Sequence, residues 1–140
     1  MIVADTSGLL AFFNSAEPQH QAVAEVVAAE ADPLVISPYV VAELDYLVST
    51  RVGVEAELAV LGELGGGGYH LVSFDASELL RALVVIDRYR DQEIGLADAS
   101  LVVLAERFAT RTLLTLDRRH FEVVRPFNGG RFRLLPSRDG

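Results

Sequence analysis

The sequence contains no cysteine, no tryptophan and a single methionine among its 140 residues. The absence of cysteine excludes disulfide bonds, thiolate catalysis and the cysteine type of structural zinc site. Lysine is absent too, so all 12 basic residues are arginine, whose planar guanidinium suits phosphate or carboxylate. No apolar run reaches the roughly 18 residues of a membrane span. Since no charged-then-apolar leader precedes the first strand, we expect a cytoplasmic protein without a membrane segment.

Positive charge is also scarce, because 20 acidic residues face 12 arginines and leave a net charge of −8. By its total, this charge disfavours nucleic acid as a partner. The distribution is uneven, however. Residues 1–80 hold 12 acidic residues and one base, Arg51, whereas residues 81–140 hold 11 arginines and 8 acidic residues. The second half therefore retains a local positive surface that the total conceals.

The length and the hydrophobic content of 51% predict one domain over residues 1–140, with a core at 1–135 and a tail at 136–140. Short apolar strands alternate with helices along the chain. The predicted strands are 2–4, 34–36, 71–74, 112–116 and 132–135, and the predicted helices are 6–14, 20–31, 38–51, 54–64, 76–89 and 96–109. This alternation predicts an α/β fold with a mostly parallel central sheet flanked by α-helices.

Four carboxylates stand out by their positions in this pattern. Asp5 follows the first strand and Asp117 follows the 112–116 strand, so both lie at the carboxyl edge of the sheet, where such folds place their sites. Glu43 and Asp98 lie on or beside the apolar, core-facing stripes of their helices and are expected to face inward. A buried carboxylate is costly unless a cation, a metal or a raised pKa compensates it.

Each carboxylate also has a simpler explanation. Asp5 could cap the following helix, and Asp117 could belong to a turn. Asp98 lies near a helix start, where the helix dipole favours an acidic residue. Glu43 could pair with an arginine, but the first half offers almost none. One shared site explains all four better, and hard oxygen ligands suit Mg²⁺ or Mn²⁺. Two neighbouring hydroxyls could add a ligand, orient the first carboxylate or simply start the helix, namely those of Thr6 and Ser7.

The histidines show no paired spacing typical of metal ligands. His20, His70 and His120 are therefore not predicted to bind metal, although His120 closely follows Asp117. Asp45 comes two positions after Glu43 and is expected to point roughly the opposite way on its helix.

Four segments resemble the PIN-domain ribonucleases, and within them the VapC toxins of bacterial VapBC toxin–antitoxin modules. The segments are 1–11 (MIVADTSGLLA), 41–47 (VAELDYL), 95–101 (GLADASL) and 114–121 (LTLDRRHF). The resemblance covers essentially the whole chain and preserves the order of the segments. It implies a single PIN-like domain whose acidic metal site is Asp5, Glu43, Asp98 and Asp117, with Asp117 the most variable in role. It also implies a homodimer, a VapB-like antitoxin and their heterotetrameric or larger complex.

The resulting hypothesis is endoribonuclease activity dependent on Mg²⁺ or Mn²⁺, with single-stranded or structured RNA as substrate. The metal would lower the pKa of the attacking water and offset charge on the leaving oxygen. Arg118, Arg119 and Arg111 could hold flanking phosphates or could be a solvated surface beside a turn.

Two other functional classes compete with this hypothesis. Aspartyl phosphotransfer is disfavoured, because receiver domains need a late lysine and haloacid-type phosphatases typically need a second aspartate where this chain has Ser7. A non-catalytic acidic domain that binds a basic partner stays open as the alternative.

Overall fold

The computed structural model describes residues 1–138, and residues 139–140 of the predicted tail lie outside the described residues. Within residues 1–138, five short strands form one sheet in the order β3-β2-β1-β4-β5, and every pairing between them is parallel. The strands are Val3–Ala4 (β1), Val35–Ile36 (β2), His70–Leu71 (β3), Thr112–Leu114 (β4) and Arg133–Leu135 (β5). The predicted α/β class with a parallel central sheet is therefore confirmed.

The helices from α1 to α6 agree closely with the predicted ones. They are Thr6–Phe13 (α1), His20–Ala29 (α2), Pro38–Arg51 (α3), Val54–Leu64 (α4), Ala76–Arg88 (α5), Leu96–Arg107 (α6) and Arg118–Phe121 (α7), with a 3₁₀ turn at Arg90–Gln92. The Ser37 hydroxyl caps α3 by accepting a hydrogen bond from the Tyr39 amide at 3.1 Å. Asp75 and Glu78 form the predicted capping box of α5. Over residues 1–138, no helix combines the length and the apolar character needed to cross a bilayer.

The strands are shorter than predicted, and α7 was not predicted. The prediction of a strand at 71–74 is wrong beyond Leu71, because β2 ends at Ile36 and offers no further ladder. The amide of Val72 still donates to the carbonyl of Ile36, at 3.1 Å. Helix α7 has only four residues and starts at Asp117, so it leaves no amphipathic pattern for sequence analysis to detect.

The strand order places a crevice between β1 and β4. From β1 the chain moves outward through β2 and β3, and it returns to add β4 and β5 on the other side. Ligands of open parallel sheets bind at such a reversal of strand order, outside the carboxyl ends of the strands. The Asp5 amide donates to the Leu114 carbonyl at 2.9 Å, which joins the ends of β1 and β4.

Helix α1 packs tightly over this junction. A Cβ added at Gly8 would lie 2.7 Å from the carbonyl oxygen of Leu114. Only glycine therefore allows the first turn of α1 to approach β4 so closely. This contact holds the residues at the start of α1 beside those that follow β4.

Candidate active site

All four predicted carboxylates line one open cavity of about 280 Å³ at the carboxyl edge of the sheet. The chain therefore brings together side chains from the end of β1, from α3, from α6 and from the loop after β4. The lining residues are Asp5, Thr6, Ser7, Leu10, Glu43, Leu47, Arg51, Asp98 and Asp117.

Asp5 is the most rigidly held of the four. Its side chain caps α1, with Oδ1 accepting from the Thr6 amide at 2.8 Å. Oδ2 accepts from the hydroxyls of Ser7 at 2.9 Å and Thr115 at 2.7 Å. Burial raises the pKa of Asp5, and these hydrogen bonds work against that rise. Capping and site membership are therefore compatible roles for this residue.

The hydroxyls of Ser7 and Thr115 connect the two strand ends. Ser7 Oγ accepts from the Leu116 amide and Thr115 Oγ1 accepts from the Asp117 amide, each at 2.9 Å. The same two hydroxyls donate to Asp5, so the loop after β4 is tied directly to that carboxylate. Thr115 was not among the predicted site residues. Its signal was a polar residue at an otherwise apolar strand end, two positions before an acidic site residue.

Asp98 lies beside the core, as predicted, and its side chain is 21% exposed. Burial raises the pKa of Asp98 to about 7, and repulsion from Asp5, Asp117 and Glu43 adds to the rise, whereas His120 opposes it. A carboxyl group with a pKa near 7 is only partly ionised at neutral pH, and a nearby cation would favour its charged form. The electrostatics therefore indicate that the positive charge near Asp98 does not offset the surrounding carboxylates.

Glu43 corrects one expectation. It lines the cavity but is exposed rather than inward-facing. The buried stripe of α3 consists of Val40, Leu44 and Val48, whereas Leu47 turns toward the cavity. This rotation places Glu43 at the rim. Asp45, as expected, points elsewhere.

Asp117 caps α7 and contacts a histidine that sequence analysis did not assign to the site. Its Oδ1 accepts from the His120 amide at 3.4 Å, so Asp117 is the N-cap of a short helix rather than a turn residue. His120 Nδ1 lies 2.9 Å from Asp117 Oδ2 and 3.8 Å from Asp98 Oδ2. The detectable signal was the three-residue spacing from Asp117, which becomes meaningful only once the short helix is known.

The predicted arginines differ in position. Arg119 is exposed beside the site, and Arg118 is bound to Glu122 and to the Pro136 carbonyl. Arg111 precedes β4 and therefore lies at the amino edge of the sheet, the opposite edge from the cavity. There its guanidinium donates to the Gly129 carbonyl. The cavity-lining cation is Arg51, which sequence analysis noted only as an isolated base.

The donor chemistry of the cavity fits a hard divalent cation. The Thr6 hydroxyl is buried at the cavity and has no hydrogen-bond partner among residues 1–138. Within the same residues, no three acidic or histidine side chains are placed to hold one ion together. Repulsion between uncompensated carboxylates favours such a spread arrangement. Glu43 is exposed and Asp117 is partly exposed, so burial fixes neither carboxylate.

A family model described as the PIN domain matches residues 2–126. The chain belongs to the PIN-domain family. This PIN domain is 59% identical over 135 residues to "Ribonuclease VapC26" of Mycobacterium tuberculosis, a match that covers 96% of this chain and all of that protein. The resemblance inferred from the four sequence segments is thereby confirmed.

Solved structures share the fold. VapC20 of Mycobacterium tuberculosis, described as a Sarcin-Ricin loop cleaving toxin, superposes with a TM-score of 0.77 at 20% identity, over 84% of this chain and 90% of that one. VapBC2 of Rickettsia felis, bound to a promoter DNA fragment, gives 0.68 at 20% identity, over 96% and 97%. A toxin–antitoxin complex from Klebsiella pneumoniae gives 0.69 at 16% identity, over 89% and 92%. At these identities the likeness concerns the PIN fold.

Proposed function

We propose that this PIN domain is a metal-dependent endoribonuclease and the toxin of a type II toxin–antitoxin module. The observation that carries the proposal is the gathering of Asp5, Glu43, Asp98 and Asp117 around one cavity at the sheet's reversal point. The identity of 59% to a relative named as a ribonuclease supports the reaction class.

The four carboxylates would hold Mg²⁺ or Mn²⁺, which supplies an activated water and offsets charge on the leaving oxygen. Asp5 is the fixed member, because three hydrogen bonds orient it. Glu43 is the adaptable member at the rim. Asp98 differs from both, because burial and the neighbouring carboxylates disfavour its ionised form. A bound cation would offset that cost. A rigid ligand together with an adaptable one at the rim would allow the site to accommodate both an ion and a substrate phosphate.

Arginines at the cavity would bind the RNA backbone. Arg51 lines the cavity and Arg119 is exposed next to Asp117, so both guanidinium groups can reach phosphates that flank the scissile one. Arg118 is held by Glu122 and Pro136, which gives it a smaller role in binding. Arg111 lies at the far edge and is not proposed as a contact in this site.

The substitution Asp5→Asn tests the activity. The variant protein and the wild type, each purified from cells lacking the wild-type gene, are incubated with RNA and with Mg²⁺ or Mn²⁺, and the cleavage ends are sequenced. We expect wild-type cleavage at defined positions, no cleavage by the variant, and no cleavage by either protein in EDTA. Equal cleavage by the variant would contradict the proposal. Metal binding without any cleavage would favour the alternative, a non-catalytic acidic domain that binds a basic partner.

The proposed partners are a VapB-like antitoxin and a second copy of the chain, with a heterotetramer or larger complex as the assembled form in the cytoplasm. The similar complexes from Klebsiella pneumoniae and Rickettsia felis support an antitoxin partner. Exposed apolar side chains on α5 provide an area for self-association. These are Leu79, Leu80, Leu83 and Val84. The uncompensated carboxylates of the cavity would attract an arginine of the antitoxin.

A further inference from the structure

His120 lies largely buried beside two carboxylates of the acidic site, although no metal-ligand spacing marks it. It is the third residue of α7, and its side chain is only 13% exposed. Because Asp117 caps this helix, the histidine lies one turn after that carboxylate and on the same side. The helix therefore directs the imidazole back onto Asp117.

The imidazole also reaches toward a second carboxylate from a different element. Nδ1 is 2.9 Å from Asp117 Oδ2 and 3.8 Å from Asp98 Oδ2. The nitrogen is buried, and its angle to Asp117 departs from that of an aligned hydrogen bond. A modest rotation of the partly exposed Asp117 would align the contact. Nδ1 is thus placed to fix the position of the Asp117 carboxylate relative to Asp98.

The two arginines that precede His120 in α7 do not replace this contact. Arg118 is directed to Glu122 and to the Pro136 carbonyl, and Arg119 is exposed. Within residues 1–138, His120 is the basic side chain that contacts both Asp98 and Asp117.

We propose that His120 is a positioning residue for the cation site: its Nδ1–H donates to Asp117 and fixes the orientation in which this carboxylate meets Asp98. The inference deepens the proposed function and rests on it. A carboxylate that is already oriented loses less conformational freedom on binding an ion. Partners of this kind typically change metal affinity by about 10- to 100-fold.

Three substitutions separate the nitrogen from the bulk of the side chain. The amide nitrogen of His120→Asn stands where Nδ1 stands, that of His120→Gln stands nearer to Nε2, and His120→Ala removes both. Mn²⁺ is titrated calorimetrically into each metal-stripped protein without RNA. We expect the alanine and glutamine variants to bind Mn²⁺ about 10- to 100-fold more weakly and the asparagine variant to stay within about threefold of wild type. The matched control is His70→Asn, at an exposed position on β3.

Unchanged Mn²⁺ affinity in the alanine variant would overturn the proposal, as would equal losses in the asparagine and glutamine variants. If the variants fail to fold, the tautomer of His120 in the wild type decides by ¹⁵N NMR. A proton on Nδ1 supports the proposal, and an unprotonated Nδ1 contradicts it. Wild-type protein that binds Mn²⁺ but cleaves no RNA would refute the proposed function alone. A wild type that binds no Mn²⁺ would overturn both.

Discussion

Replacing Asp98 by asparagine should stabilise the metal-free protein, although it removes a site residue. The pKa of Asp98 is raised from 3.8 to about 7, chiefly by burial. One pKa unit corresponds to about 1.4 kcal/mol, so the full shift has an upper bound of about 4 kcal/mol at pH 8. The side chain is 21% exposed, and solvent screens part of its repulsion by Asp5, Asp117 and Glu43. We therefore expect a gain of about 1–2 kcal/mol in the free energy of unfolding.

The pH dependence of this gain follows from the direction of the shift. Between pH 3.8 and about 7, the folded protein holds a proton on Asp98 that the unfolded chain has released. The stability of the wild type therefore falls as pH rises through this window, and Asp98 adds no further change above it. The Asp98→Asn variant has no carboxyl group at this position, so its unfolding free energy does not fall for this reason. Its advantage should be small near pH 4, less than half complete at pH 5, and full at pH 8.

Urea unfolding in EDTA at pH 5 and pH 8 measures the difference between Asp98→Asn and wild type. The control is Asp91→Asn, an exposed carboxylate on the 3₁₀ turn that does not line the cavity. A variant no more stable than wild type at pH 8, or a gain that does not change with pH, would refute the reasoning. Adding Mn²⁺ should narrow or reverse the difference in unfolding free energy between the variant and the wild type. A ligand that binds only the folded state stabilises most the protein that binds it most tightly, which we expect to be the wild type.

The close packing at Gly8, the hydroxyl of Thr115 and the exposed face of α5 can each be tested by one substitution. Gly8→Ala should destabilise the protein by about 1–3 kcal/mol in urea, since its Cβ would lie 2.7 Å from the Leu114 carbonyl oxygen, and unchanged stability would contradict that close approach. Thr115→Val removes a hydroxyl that donates to Asp5 while keeping the side-chain shape, so RNA cleavage should fall about 10- to 100-fold; wild-type kcat/KM would show that Asp5 needs no such support. Leu83→Glu places a charge on the exposed face of α5 and should yield monomers in light scattering, whereas an unchanged molar mass would place self-association elsewhere.

Local sequence signals were sufficient for most of the fold. Apolar strands that alternate with helices predict a parallel sheet with crossover helices. The caps at Ser37 and Asp75 are equally local, because each side chain bonds an amide two or three residues further along the chain. The carboxyl ends of parallel strands share an edge, so Asp5 and Asp117 were expected together. Strand ends were less predictable, because a strand extends only as far as its neighbour provides hydrogen bonds.

The sequence by itself determined the class of fold, the edge at which the site lies and the four acidic residues that line it. Only the tertiary structure decided how those carboxylates are held and balanced. Thr115 reaches Asp5 across 110 positions of sequence, and His120 approaches Asp98 only because a four-residue helix turns it inward. Such contacts depend on side-chain direction and on the packing of α1 against β4 and of α6 against β1. These contacts cannot be inferred from a local sequence pattern.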